Sequence, residues 1–463
     1  MKKILIMICL VCIAATTIAQ NTSFQADFSK GETGGLPEGW TLTDFENDKA
    51  PRIVLEKDGS GNYLSLSGNG DPDFVSYVST RTKLAPGTYT YKALFSISND
   101  VNPQRNLLFQ CKATGHDGIH EFYRLDKGMV EGRSTIVVRG EGNELVDTEI
   151  KVFYRFNAGG EVKLRSLSLT PADPVQPRWA RFACTGRKIS LEQMSEVAAK
   201  AALDKADLLL FPEEVAQVRD DFTKGDEYLE NQSDRILQTL SGLAAKHKMY
   251  VAASVLVIDK TDRRRYNRGV IYDRQGKLLG EYDKIHPYSP EVNDRNVMAG
   301  RKTDIFKTDF GTIGMIICYD SWFTDVTQLL ALKGAEVILF PVAGYYRSLI
   351  PARAADNRVR FVISERERKY GIFDTAGRDV QDPDKDRSAG VGKNLPPTFK
   401  DVRTFEIGEA GLLCADLDLN SSPSPHYNGG TMADAPGGKR NRDDQVLYLD
   451  DMIKKEKERW WVE

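Results

Sequence analysis

Histidine and cysteine are both scarce in this chain, with 5 His and 6 Cys among 463 residues. Two of the cysteines fall in the apolar N-terminal stretch, and the other four are far apart in the sequence: Cys111, Cys184, Cys318 and Cys414. Four well-separated cysteines in a large chain exclude a scaffold built from disulfides. The sequence leaves open whether Cys184 and Cys414 form one bond in an oxidising compartment or remain two buried thiols.

An excess of charge of one sign is missing as well. The chain has 63 Lys and Arg against 66 Asp and Glu, so the net charge is −3. No long basic run is interleaved with aromatic residues. Nucleic acid is therefore not an expected partner.

Long hydrophobic runs are almost absent, and the exception is residues 4–15. This run is shorter than the roughly 20 residues that span a membrane. Two lysines precede it, and the small residues Thr17 and Ala19 follow it, which is the pattern of a secretory signal peptide. We therefore expect residues 1–19 to be a signal peptide, and the mature protein to be periplasmic or extracellular without an integral membrane span.

The chain does contain a long β-rich region, residues 20–172. Short segments of alternating polar and apolar residues are separated there by Gly, Asn, Asp and Pro. Segments such as Thr88 to Phe95 and Val162 to Leu169 are typical of strands. We predict an all-β, jelly-roll-like sandwich for this region.

Three segments of this region resemble galactose-binding-like or carbohydrate-binding domains: Gly39-Trp40, Leu84 to Tyr89 and Val162 to Leu169. The resemblance implies a glycan as one candidate ligand. Glycan binding needs exposed aromatic rings, whereas the rings here equally suit a core; they are Trp40, Tyr77, Tyr89 and Tyr91. Packing or docking of a partner is the alternative role, because such folds host many functions.

The sequence changes character at the proline-rich residues 171–177. We place a linker at 173–178 and an α/β domain at 178–435, because strand-like and helix-like segments alternate from there on. We predict a helical C-terminal extension for residues 436–463. The predicted strands of the α/β domain are 179–184, 208–211, 250–257, 269–272, 277–282, 313–317 and 337–340, and the predicted helices are 190–201, 234–247 and 326–333.

Three polar residues stand at or just past the ends of apolar strands in this domain: Glu213, Lys284 and Cys318. Open α/β sheets build their sites at the carboxyl ends of strands. A free thiol is mostly protonated at neutral pH, so it needs a base before it is a good nucleophile. Glu213 can take that proton if desolvation raises its pKa, and the Lys284 ammonium can stabilise a thiolate and a later oxyanion.

The motifs around these residues are Leu210-Phe211-Pro212-Glu213-Glu214, Tyr282-Asp283-Lys284-Ile285-His286 and Gly314-Met315-Ile316-Ile317-Cys318-Tyr319-Asp320. Each motif alone is a weak signal. Their order and spacing are specific, because Lys284 follows Glu213 by 71 residues and Cys318 follows Lys284 by 34. Together they resemble the nitrilase, or carbon–nitrogen hydrolase, superfamily over about residues 178–419.

The resemblance implies a four-layer α-β-β-α sandwich that hydrolyses or transfers at non-peptide carbon–nitrogen bonds without a metal or another cofactor. It implies Cys318 as the nucleophile and Glu213 as the proton relay. Lys284 and the backbone N–H of Tyr319 would hold the oxyanion. The substrate would be a small amide or N-carbamoyl compound, and the protein would form a homo-oligomer.

The roles of three further residues follow less directly. Glu291 lies where the family carries a second glutamate that orients the lysine or the substrate. Glu214 is a candidate contact for a cationic substrate group, or it points away from the pocket, since neighbours on an extended segment face opposite sides. Asp320 suits the turn after the nucleophile as well as it suits substrate. Segments 342–346 and 364–369 depart from the family pattern, and we expect them to line or cover the pocket.

Two alternatives compete with this interpretation. A papain-type Cys–His hydrolase needs a histidine partner, and none of the five histidines lies in a recognisable motif: His116, His120, His247, His286 and His426. Glycines near His116 and His120 indicate a turn and not a metal site. The second alternative is a nitrilase-like binding or scaffold protein without turnover, against which the intact Glu213, Lys284 and Cys318 argue.

Overall fold

A computed structural model describes residues 22–421 except 45–50, 72–74, 113–116, 120, 139, 141, 143, 368–369 and 384–397. The predicted signal peptide and the predicted helical extension lie outside the described residues, as do His116, His120 and His426. None of the helices in the described ranges is long and apolar enough to cross a membrane.

The described residues of the N-terminal part are all-β apart from the one-turn helix α1 (Pro103–Asn106) and a short 3₁₀ helix, Asp126–Gly128. Its strands are β1 (Phe24–Gln25), β2 (Thr41–Asp44), β3 (Arg52–Asp58), β4 (Gly61–Ser67), β5 (Val75–Leu84), β6 (Gly87–Ile97), β7 (Leu107–Lys112), β8 (Asp117–Ile119), β9 (Glu121–Arg124), β10 (Met129–Val138), β11 (Val146–Arg155) and β12 (Glu161–Pro171). One sheet has the order β3-β4-β12-β6-β10-β9, with β1 on β12, and the other has the order β2-β5-β11-β7-β8. The predicted all-β class of this region is confirmed.

Alternate residues of both sheets meet in one core, as the period of two in the sequence predicts. Tyr91 and Phe95 of β6 and Val152 of β11 belong to this core and are fully buried. Trp40 and Tyr89 are buried in it too, so they are not free to stack on a glycan. The jelly-roll connectivity and the glycan ligand stay predictions.

The second part of the chain is built around a 12-stranded sheet. Its strands are β13 (Trp179–Gly186), β14 (Leu208–Leu210), β15 (Tyr250–Ile258), β16 (Arg265–Tyr272), β17 (Leu278–Asp283), β18 (Phe306–Lys307), β19 (Thr312–Met315), β20 (Val337–Val342), β21 (Arg360–Glu365), β22 (Gly371–Phe373), β23 (Phe399–Ile407) and β24 (Ala410–Asp418). Its helices are α2 (Leu191–Leu203), α3 (Asp226–His247), α4 (Ser289–Arg295), α5 (Asp325–Lys333) and α6 (Leu349–Asn357). The predicted α/β class is confirmed.

This sheet has two sections that meet at a single residue pair, Gly186 on β13 with Glu365 on β21. The first section comprises β13 to β17 with β23 and β24, and the second comprises β18 to β22. Helices α2 and α3 share a core with one face of the first section. Helices α5 and α6 pack against the second section, and the remaining face of the first section contributes to that same core.

Local signals explain several element boundaries. Ser190 accepts a hydrogen bond from the Gln193 N–H and completes the predicted capping box of α2. The predicted start of the next helix at Asp234 is wrong, because α3 begins at Asp226. Gly225, with φ of 91°, ends the preceding turn there, and acidic residues in the first turn favour the N-terminus of a helix.

Cys184 and Cys414 are both free and buried. Strands β13 and β24 are antiparallel neighbours, and Cys414 lies opposite Ala183, whereas Cys184 lies opposite Leu413. Successive side chains point to opposite faces of a sheet, and the two thiols belong to different cores. They therefore lie on opposite sides of the sheet, as two buried thiols and not as a disulfide.

Candidate active site

The fold brings together the residues predicted at three strand ends. Lys284 follows β17, and its Nζ lies 2.9 Å from Oε1 of Glu213, which comes three residues after β14. The same Nζ lies 2.6 Å from Oε2 of Glu291 on α4. Lys284 is only 1% exposed and Glu213 only 3%, so this ion pair is screened from water. The Cys318 thiol is close enough to Glu213 and Lys284 for both of their charges to act on its pKa.

Cys318 sits on a sharp turn between β19 and a 3₁₀ helix, Cys318–Trp322. Its φ is 44°, in the left-handed region that a non-glycine residue rarely adopts. Such a conformation costs about 1–3 kcal/mol and persists only where the surrounding structure enforces it. The strain falls on the residue that the sequence predicts as the nucleophile.

Asp320 enforces this turn. Its carboxylate is fully buried and accepts hydrogen bonds from the N–H of Ile317 at 2.9 Å, the N–H of His286 at 2.8 Å and the hydroxyl of Tyr282 at 2.7 Å. These donors use both of its oxygens. Of the two roles that the sequence left open for Asp320, the structure favours holding the turn.

The first intrahelical bond of the 3₁₀ helix runs from the Asp320 N–H to the Ile317 carbonyl. The N–H groups of Cys318 and Tyr319 come before that bond, so the helix supplies them with no acceptor. The backbone N–H of Tyr319 therefore lies next to the thiol with its donor available, where the sequence predicted an oxyanion contact.

The charges around the thiol oppose one another. Burial raises the pKa of Glu213, but Lys284 and Arg366 outweigh burial and bring it below its ordinary value of 4.5. Glu213 is thus a carboxylate at neutral pH. Its pKa is shifted downward, opposite to the rise that the sequence analysis expected from desolvation. Burial also raises the pKa of Cys318, and Glu213 raises it further against the pull of Lys284. The resting thiol is protonated beside an ionised base.

Lys284 remains a cation in this site. Burial lowers its pKa, but the carboxylates of Glu213 and Glu291 with Cys318 outweigh burial and raise the pKa well above its usual range. A lysine held charged in a buried position is a strong local positive field. Lys284 is therefore suited to stabilise developing negative charge and not to act as a base.

Sequence reasoning missed Asn267 on β16. Its amide nitrogen donates to Oε1 of Glu213 at 2.8 Å and to Oε1 of Glu291 at 2.8 Å, and its oxygen accepts from the Ser254 hydroxyl at 2.9 Å. Asn267 is fully buried. It links the two carboxylates that flank Lys284 and adds no charge to the site.

Glu214 does not face an open pocket. One carboxylate oxygen accepts from Arg295 at 2.7 Å and the other from Arg366 at 2.7 Å. Burial and the neighbouring Glu213 raise the pKa of Glu214 against the pull of both arginines. Since both oxygens are occupied, the candidate role of Glu214 in binding a cationic substrate group is not favoured.

The two segments that depart from the family pattern both reach the site. In segment 342–346, the Ala343 N–H donates to Oε2 of Glu213 at 2.7 Å, and the Gly344 carbonyl oxygen lies 3.8 Å from the Cys318 Sγ. In segment 364–369, Arg366 supplies the second arginine of Glu214. The charged side chains of segment 364–369 are therefore partly buried in an internal network and do not all face solvent.

His286 is engaged elsewhere. Its Nδ1 lies 3.1 Å from Asp320 and its Nε2 lies 3.3 Å from Asp325. The hydrogen bond with Asp320 raises the pKa of His286 although burial lowers it. In the part of the chain that the structure describes, no group of three or more His, Cys, Asp or Glu side chains is arranged to hold a metal ion.

Comparison with known proteins agrees with this geometry. Residues 179–364 match the family model "Carbon-nitrogen hydrolase". This part of the chain is a carbon–nitrogen hydrolase domain of the nitrilase superfamily.

Individual relatives are distant. N-carbamoylputrescine amidase of Solanum tuberosum is 24% identical over 282 residues, which are 55% of this chain and 89% of that protein. Omega-amidase of Saccharomyces cerevisiae is 29% identical over 156 residues, which are 30% of this chain and 54% of that protein. Among solved structures, an amidase from Nesterenkonia sp. is 20% identical with a TM-score of 0.42, covering 53% of this chain and 93% of that chain. A complex of a mutant of that amidase with butyramide gives a TM-score of 0.43 at 20% identity, covering 52% of this chain and 92% of that chain.

Proposed function

We propose that this protein is a thiol-dependent hydrolase of non-peptide carbon–nitrogen bonds, acting on an amide or N-carbamoyl substrate through Cys318, Glu213 and Lys284. The buried contact of 2.9 Å between Lys284 and Glu213, beside the strained Cys318, supports the proposal most strongly. An ionised base, a fixed cation and a thiol are the groups that such a reaction requires. The match of residues 179–364 to the carbon–nitrogen hydrolase family supports the same reaction class.

The first half-reaction forms an acyl-enzyme. The Cys318 thiol gives its proton to Glu213 as the sulfur attacks the carbonyl carbon, so no stable thiolate is needed. The carbonyl oxygen becomes an oxyanion, which Lys284 and the Tyr319 N–H stabilise. Glu213 then passes its proton to the nitrogen, the carbon–nitrogen bond breaks, and ammonia or an amine leaves a thioester on Cys318.

The second half-reaction uses the same groups in reverse. Glu213, again a carboxylate, takes a proton from water as the water oxygen attacks the thioester carbon. The tetrahedral intermediate collapses with loss of the Cys318 sulfur, which regains the proton from Glu213. An N-carbamoyl substrate would release its product as a carbamate. Glu291 and Asn267 position Lys284 and Glu213 throughout both steps, because they contact these two groups and not the thiol.

The domain in this proposal is the four-layer α-β-β-α sandwich that the motifs imply. That arrangement is supported by two separate cores, one joining α2 and α3 to the first sheet section and one joining α5 and α6 to both sheet sections. Relatives named as N-carbamoylputrescine amidase and omega-amidase support an amide or N-carbamoyl substrate. Export through residues 1–19, assembly as a homo-oligomer and a glycan ligand of the N-terminal region remain parts of the proposal that rest on sequence alone.

Mass spectrometry of the intact protein tests the reaction. After incubation with a panel of amides and N-carbamoyl amines that includes butyramide, we expect an acyl or carbamoyl adduct on Cys318 and a released amine or ammonia. Cys318→Ala should abolish both, whereas the matched control Cys111→Ala removes a buried thiol of the N-terminal region and should abolish neither. A wild-type protein that gains no adduct and releases no product with any member of the panel would instead support the scaffold alternative.

A further inference from the structure

A cluster of aromatic side chains lies beside the nucleophile and has no part in the proposed reaction. The ring centroids are 5.2 Å apart for Tyr288 and Tyr319, 6.0 Å for Tyr319 and Trp322, and 4.8 Å for Trp322 and Tyr346. These four side chains form a continuous chain that we call the aromatic rim. Three of its rings are largely exposed: Tyr288 by 52%, Trp322 by 47% and Tyr346 by 61%.

Three of the segments that build the reactive site also carry a ring of the rim. The Tyr288 N–H donates to Oε2 of Glu291 at 2.7 Å, just before α4. Trp322 ends the 3₁₀ helix that begins at the nucleophile. Tyr346 follows two residues after Gly344, whose carbonyl oxygen contacts the nucleophilic sulfur. The rim is therefore part of the surroundings of the thiol and not a distant surface patch.

The geometry of the rim suits a flat ligand. The planes of the Trp322 and Tyr346 rings are 84° apart, so the two rings form a corner and do not stack on each other. Single exposed apolar residues are common on protein surfaces, but a contiguous group of exposed aromatic rings marks a binding site. A ring face offers dispersion and stacking contacts to another flat, apolar face.

We infer that the aromatic rim binds a flat ring on the substrate, so that the preferred substrates are amides or N-carbamoyl compounds with an aromatic ring or a pyranose near the scissile bond. The inference rests on the proposed function and narrows its substrate class. Both kinds of ring present the same chemistry to the rim, an apolar face that covers a Trp or Tyr ring. The exposed Trp322 and Tyr346 rings next to Cys318 carry the inference.

Matched substrates test it. Butyramide, γ-phenylbutyramide and N-butyrylglucosamine all contain a four-carbon acyl chain. The first has no ring, the second has a phenyl ring at the end of the acyl chain, and the third has a pyranose on the amide nitrogen. The readout is the kcat/KM for each ring-bearing amide divided by that for butyramide. We expect Trp322→Ala and Tyr346→Ala each to lower this ratio about tenfold, which corresponds to a stacking contact of ~1.4 kcal/mol. The control Tyr123→Ala removes a ring that is 48% exposed on β9 and should leave the ratio unchanged.

The outcomes separate the two ring sources and the rival explanations. If the two variants lower the ratio for γ-phenylbutyramide alone, the rim binds an aromatic ring. If they lower the ratio for N-butyrylglucosamine alone, the rim binds a pyranose. An unchanged ratio for both in both variants overturns the inference. A change of sedimentation coefficient on Trp322→Ala or Tyr346→Ala also overturns it, because the rim would then be a contact between subunits.

Binding without turnover keeps the inference testable if the proposed function fails. Calorimetric titration of Cys318→Ala with γ-phenylbutyramide and N-butyrylglucosamine reports the rim alone. We expect about tenfold weaker binding of at least one of them when Trp322→Ala is added to Cys318→Ala. Equal affinity for both compounds in the single and double variants would overturn the inference, whereas failure of wild-type turnover with intact binding would overturn only the proposed reaction.

Discussion

Replacing Asn267 with leucine tests how the site holds its charges. Leucine has the same branching as asparagine with a larger volume, and Asn267→Leu removes the two donated hydrogen bonds of 2.8 Å to Glu213 and Glu291. A hydrogen bond to a charged group contributes ~1.5–3 kcal/mol. Losing two of them should therefore lower the unfolding free energy by about 3–6 kcal/mol. We expect a value near the lower bound, because Lys284 still contacts both carboxylates. Urea denaturation measures it.

The same substitution shifts a titration. A donated hydrogen bond favours the charged form of a carboxylate, so its loss raises the pKa of Glu213 from its depressed value. A depressed pKa contributes stability above the unfolded-state pKa, and this contribution is lost as the pH falls through the folded-state pKa. The stability difference between wild type and Asn267→Leu should therefore be largest near neutral pH and become smaller on acidification.

The thiol reports this shift without any substrate. Alkylation of Cys318 by iodoacetamide needs Glu213 as an ionised base, so its rate falls on the acid side as Glu213 becomes protonated. We expect Asn267→Leu to move this acid limb to higher pH. Ser254→Ala is the matched control, because it leaves both donated bonds of Asn267 in place and removes the bond to the Asn267 oxygen, together with the bond that the Ser254 hydroxyl accepts from the Glu214 N–H. An acid limb that does not move, with a loss of stability no greater than that of Ser254→Ala, would refute the reasoning.

Three further substitutions test separate parts of the site. Glu213→Gln should lower kcat/KM for butyramide about 10²–10⁴-fold because no base remains, and a retained thermal unfolding midpoint would show that the fold is intact. Arg366→Met leaves Glu214 with one arginine, so the unfolding free energy should fall by about 1.5–3 kcal/mol. The fall should be larger at pH 8 than at pH 5, because the pKa of Glu214 is already raised and rises further without Arg366. With His286→Gln, mass spectrometry should still detect the adduct on Cys318. Loss of the adduct in this variant alone would favour a Cys–His hydrolase.

The strand ends of the site could be predicted from the sequence. Leu208 to Leu210 form a buried strand, and Glu213 follows it after a proline, so the change from apolar to polar residues marks the edge of the sheet. The same change occurs between β19 and Cys318. These patterns mark the end of each strand, but β14 and β19 are not neighbours, and the two side chains meet because the two sections of the sheet share one core.

The partners of these side chains could not be predicted in the same way. Asn267 contacts Glu213 across 54 positions of sequence and Arg366 contacts Glu214 across 152. The contact of Asn267 depends on strand pairing, because β16 lies beside β15 in a register that sets Asn267 opposite Leu256. A shift by one residue would turn the Asn267 amide to the other face of the sheet. No local pattern of hydrophobic residues records that register.

An uncharged donor at position 267 follows from the charge balance of the site. Lys284 carries one positive charge between two buried carboxylates, so the three groups together are one unit negative. A second cation would neutralise this excess, but it would compete with Lys284 for Glu213 and depress the basicity that the proposed reaction requires. An acidic residue would bury a third negative charge beside the other two. An amide supplies two donors at no net charge, and therefore Asn267 can hold the base and the lysine in register while leaving Glu213 able to accept the thiol proton.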